Sequence, residues 1–224
     1  MGLDWKPLNK PKKGMENEFK DLFEILDGRK KTKLSFFDKI RGKKNYNETE
    51  VQNRFFEIST TPYETLNAPR VGFDTKATEW AKESFENRTD KGQNLEEFMK
   101  EMYGYWVVDL VELHDGIPTY IALHDEAHVF RGKFLDDCEK IMGPELFDEA
   151  YSSKLSEEAI DYGNRILSLA NTYARENNLE HLRDVRNPPD ADELSPESLV
   201  HILYSSAKWV KWWGERGHGY EAYF

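Results

Sequence analysis

Hydrophobic positions recur at helical spacing along most of this chain. In "MENEFKDLFEIL", residues 15 to 26, Met15, Phe19, Leu22, Phe23 and Leu26 fall on one stripe of a 3.6-residue period. "NETEVQNRFFEIS" opens with Asn47 and has Glu50 three residues on, the spacing of a capping box, and "NLEEFMKEMY" repeats it with Asn94 and Glu97. "DTKATEWAKESFEN" predicts a helix from about Thr75. In "SEEAIDYGNRILSLANTYAREN" a helix from Ser156 puts Ala159, Ile160, Gly163, Ile166, Leu167, Ala170 and Tyr173 on one face. The last pattern, "SPESLVHILYSSAKWVKWWGERG", has Ser195 as N-cap, Pro196 in the first turn and Gly214 or Gly217 as the stop. Its inner stripe is Leu199, Ile202, Leu203, Trp209, Val210 and Trp213.

One region departs from this period. "YWVVDLVELHDGIPTYIALH" holds two β-branched and aromatic runs around Asp115-Gly116, which is a hairpin signal. The expected fold is therefore mainly α: a single helical domain, residues 1–224, with one central β-hairpin at about residues 105–123. The Pro-rich "RNPPDADELSP" reads as a linker before the last helix, because too little chain follows it to fold alone. "ISTTPYETLNAPRVGFD", residues 58 to 74, has no clear period and is long for a loop without a task.

Composition changes this picture in three ways. Aromatics make up 13% of the chain, far too many for a disordered acidic sequence, so a packed core is expected. Cys138 is the single cysteine, which excludes an internal disulfide framework and fits a reducing compartment. The net charge of −11 is uneven: residues 1–44 hold 13 Lys/Arg against 7 Asp/Glu, leaving −17 on the other 180 residues. That basic N-terminal segment lacks interleaved Arg and aromatic residues, and the rest of the molecule repels polyanions, so nucleic acid is a poor partner. No apolar run approaches the roughly 20 residues that span a bilayer. The first residues lack the apolar middle of a signal peptide, and Lys6 stands where a myristoylation motif wants Ser or Thr. A soluble, cytoplasmic protein without a membrane partner is the expectation.

Candidate chemistry falls in three places. "LHDEAHVF" spaces His124 and His128 as a metal-binding pair, but Asp125 follows His124 where a zinc peptidase needs Glu. The competing reading makes these residues the start of a helix that continues through Phe130, Phe134, Cys138 and Met142, with Asp125 as its cap. Asp109 interrupts "WVVDLV" and stands opposite His124 in one hairpin register, so His124, Asp109 and His128 form a candidate acid–base or metal cluster. In the long loop, Tyr63, Glu64 and Arg70 are the groups able to hold a ligand, Arg70 by a bidentate grip on an anion. The alternative pairs Glu64 with Arg70 while Tyr63, Leu66 and Val71 anchor the loop. In the aromatic tail, 209–224, one helical face cannot bury Trp209, Trp212 and Trp213 equally unless something covers both flanks: the tail itself, a second subunit or another protein.

Gly-rich phosphate loops and a Gly-x-Ser-x-Gly elbow are missing. Cys138 lies on an apolar stripe and reads as inert. The sequence thus points first to an acidic helical protein-interaction module, with a protein partner or self-association. The second reading is a hydrolase or other enzyme using His124, His128 and Asp109, with or without a divalent metal as cofactor.

Overall fold

A computed structural model describes residues 2–30, 47–89, 92–111 and 128–224. The fold is mainly α, with eight α-helices and two two-stranded sheets among the described residues. The helices are α1 (Glu16–Leu26), α2 (Glu48–Glu57), α3 (Pro62–Thr65), α4 (Thr75–Glu86), α5 (Leu95–Glu101), α6 (Glu139–Asp148), α7 (Ser156–Glu176) and α8 (Pro196–Glu215). The strands are β1 (Asp4–Pro7), β2 (Lys10–Pro11), β3 (Ser59–Thr60) and β4 (Tyr220–Tyr223).

Helices α7 and α8 pack on each other and carry the main core. The α7 stripe buries Ala159, Tyr162, Gly163, Ile166, Ala170 and Ala174. Helix α8 is capped by Ser195, whose hydroxyl accepts the Ser198 N–H, and it is buried on nearly every side rather than along one stripe. It ends in a Schellman turn, with Gly217 at φ 84° and the His218 N–H donating to the Trp213 carbonyl. That turn sends the chain back as β4, which pairs antiparallel with β1, Trp5 opposite Ala222. Trp5 lies fully buried among Phe130, Tyr162, Trp209 and Tyr220, and its indole N–H donates to the Ala150 carbonyl at 2.8 Å.

Two smaller clusters flank this core. Phe19, Leu22 and Phe23 of α1 meet Val51 and Phe55 of α2. Of the expected α1 stripe, Met15 and Leu26 are left exposed at its two ends. Both expected capping boxes form, at Asn47–Glu50 and Asn94–Glu97. Helices α4 and α5 close over Val71 and Val107 through Ala77, Ala81, Phe85 and Phe98.

The chain around the expected hairpin behaves differently in its described part. Trp106 bridges Arg70, and Val108–Leu110 form a 3₁₀ turn; residues 112–123 lie outside the described residues. A helix continuing unbroken from His128 is not what forms. Phe130 exchanges both backbone hydrogen bonds with Trp5, so the chain is extended there and turns helical only at Gly132, as a 3₁₀ segment (Gly132–Cys138) leading into α6. Pairing with a distant strand has overridden the local spacing.

Candidate functional site: an aromatic cradle for Arg70

The long loop is built from short, locally determined pieces. Thr61 caps α3, and Glu64 completes a capping box by accepting the Thr61 N–H at 2.7 Å and its hydroxyl at 3.0 Å. Glu64 is therefore a cap, and its expected pairing with Arg70 does not form. Leu66 and Val71 are buried and anchor the loop as expected. Beyond them the loop zips onto residues 104–107. The Val71 N–H donates to the Tyr105 carbonyl, Gly104 N–H to Val71, and Val107 N–H to Pro69.

This pairing fixes Arg70. Its Nε donates to the Gly104 carbonyl at 3.1 Å. Its Cζ lies 4.6 Å from the ring centroids of both Phe73 and Trp106, within cation–π range of each. Among the described residues no carboxylate lies within ion-pair distance of Arg70, and its two Nη groups donate to nothing. Two glycines make room for this arrangement. Gly104 (φ 84°) would bring a Cβ to 3.0 Å from Arg70 Nη2, and Gly72 (φ 84°) would drive one into the Tyr103 ring at 2.5 Å.

Around the guanidinium spreads an aromatic surface. Phe73 and Tyr103 face each other at 5.2 Å while exposing 64% and 63% of their surface. Tyr105, 44% exposed, stacks on Trp80. Trp106 stacks on Tyr63, and Tyr63 meets the edge of His128 at 5.2 Å.

His128 is buried, with its ring between Tyr63 and Trp213, and its carbonyl accepts the Trp209 indole N–H at 2.9 Å. Asp109 is exposed in its 3₁₀ turn. His124 lies outside the described residues, and with it the candidate metal pair of His124 and His128. Among the described residues no group of three or more His, Cys, Asp or Glu side chains is placed to hold a metal ion.

The tail tryptophans belong to the core. Trp209 and Trp213 are fully covered, and Trp212 lies under the Arg216 guanidinium at 3.7 Å. The cover that the sequence required is the chain's own β1 and the returning segment 218–220. An interface built on Trp209, Trp212 and Trp213 would first have to open the core. Cys138 is buried, and desolvation pushes its thiol up, away from reactivity.

A hydroxyl–imidazole pair escaped the sequence reading. His218, fully buried, places Nδ1 2.6 Å from the Leu8 carbonyl and Nε2 2.7 Å from the Thr65 hydroxyl. A carbonyl only accepts, so Nδ1 carries the proton and Nε2 accepts from Thr65. The spacing suits a nucleophile and its base. Burial lowers the imidazole to about 4, which makes it a weak base at neutral pH, and a fully covered ring offers substrate no approach. The pair is a tie between the N-terminal segment, α3 and the C-terminal turn. Its two partners lie 153 and 210 residues away, a separation that no local pattern reveals.

No family model, curated protein or solved structure matches this chain.

Proposed function

We propose that the chain is a protein-interaction module and that its contact face is the cradle around Arg70. The observation that carries this reading is the composition of one patch: Phe73, Tyr103 and Tyr105 are exposed, and Trp106 and Arg70 are half-buried among them. Aromatic residues and Arg are the types that dominate binding energy at protein interfaces, while Lys, Glu and Asp are depleted there. On a surface with a net charge of −11, a patch of this kind is a local reversal of composition. Backbone pairing holds residues 69–71 against 104–107, and ring contacts join Phe73 to Tyr103, Tyr105 to Trp80 and Trp106 to Tyr63. Aromatic anchors ordered before binding lose little freedom on binding.

The test is selection of a random-peptide display library on immobilised protein, compared with a Phe73→Ser/Tyr103→Ser variant. Peptides enriched on the wild type should lose binding to the variant, with far-UV circular dichroism unchanged. Equal binding to both proteins would remove the cradle as the contact face.

A further inference from the structure

We infer that Arg70 anchors the partner by taking the carboxylate of an Asp or Glu side chain set among apolar residues. This inference rests on the interaction-face reading above and names the chemistry at its centre. A guanidinium has five N–H donors, and Nε spends one on Gly104. What remains is the Nη1/Nη2 edge, a planar fork that matches the two oxygens of a carboxylate. Phe73 and Trp106 immobilise the plane, so most of the ordering cost of a bidentate contact is met before the partner arrives. Among the described residues no acid already fills the fork.

The surroundings select the anion. Between residues 47 and 111 the sequence has 13 Asp/Glu against 7 Lys/Arg, so a polyanion or a dianionic phosphate meets repulsion beyond Arg70 itself. A single carboxylate brings one charge to the Arg70 fork. The backbone selects a side chain over a chain terminus. Capture of a terminal carboxylate uses clustered backbone N–H groups, and those of residues 71–74 and Gly104 are already committed. Val71 donates to Tyr105, Phe73 and Asp74 to Arg70, Gly104 to Val71, and Gly72 to the Thr78 hydroxyl. The flanking rings of Phe73 and Tyr103 then meet the apolar neighbours of the acidic residue.

The experiment uses peptides enriched in the display selection, each fused through its C-terminus so that only side-chain carboxylates are offered. Enriched sequences should share an Asp or Glu beside aromatic or aliphatic residues. Changing that acid to its amide should weaken binding about tenfold or more, as should Arg70→Gln and Arg70→Lys, since Lys keeps the charge but not the fork. In the double-mutant cycle, the amide change should have little further effect on the Arg70→Gln protein. Retained melting temperature and circular dichroism show that these variants fold.

Enriched peptides that need Phe73 and Tyr103 but neither an acid nor Arg70 would overturn the carboxylate anchor and leave the interaction face standing. Rescue of an amide peptide by a free C-terminal carboxylate would overturn the choice of a side chain. Absence of any enrichment would overturn both readings.

Discussion

His218 shows how much a single residue can hold. Its neutral ring accepts from Thr65 and donates to Leu8, and burial keeps it from taking a proton until about pH 4. In the unfolded chain the same imidazole protonates near 6.5. The unfolded state therefore binds more protons between these values, and the fold loses stability as pH falls through that window. The loss between pH 7 and pH 5 should be on the order of 2 kcal/mol, read from urea unfolding at the two values. His201, also lowered by burial, adds to the slope in the same direction. His218→Asn should be less stable at pH 7 but show a flatter dependence between pH 6.5 and 4. An unchanged slope would mean that His218 is not the titrating group. Glu149 acts in a lower window. Arg165 and Lys154 hold its carboxylate down to about 2, so its contribution disappears only as pH falls below the usual carboxylate range.

At the scale of elements, helix α5 links stability to the proposed contact face. It is 7 residues long, starts at the Asn94 cap and runs into Tyr103 and Gly104. Asn94→Ala should cost about 1 kcal/mol and speed amide exchange through residues 95–102, while α7 and α8 keep their protection. Uniform loss of protection would show that α5 is not a separate unit. The N-caps of α2, α5 and α8 were legible because a cap needs only a neighbour three residues away. So were the apolar faces of α1 and α7, which follow from helical period alone. The cradle was legible only in part. Loop length singled out Tyr63, Glu64 and Arg70, but of the two rings that flank Arg70 only Phe73 lies in that loop; Trp106 comes from a stretch that reads as strand by its β-branched and aromatic content. Which loop pairs with which is a long-range fact, and no local pattern encodes it. Glu64 is the opposite case: its three-residue spacing from Thr61 is a capping box, a local signal that outweighs its charge complementarity to Arg70.

Across the whole molecule, no helix among the described residues is long and apolar enough to cross a membrane. What organises the chain is the closure of its two ends around Trp5. The crowded tail tryptophans announced in the sequence that something must cover them, but not that strands β1 and β4 would do so. Trp5→Ala would remove a fully buried indole that meets four other rings, and should cost about 3–5 kcal/mol in chemical denaturation. A loss below 1 kcal/mol would mean that the ends are not joined as described.

The β1–β4 pairing also sets a schedule for biosynthesis. Trp5 leaves the ribosome well before Phe130, Tyr162, Trp209 and Tyr220, and all four must emerge before its pocket exists. At about 5–20 residues per second, that indole waits roughly ten to forty seconds without its pocket. Helices α1 and α2, whose contacts are with each other, can form during that interval. The central core cannot close on the nascent chain until β4 has cleared the exit tunnel, so a late-made strand completes the packing of an early one.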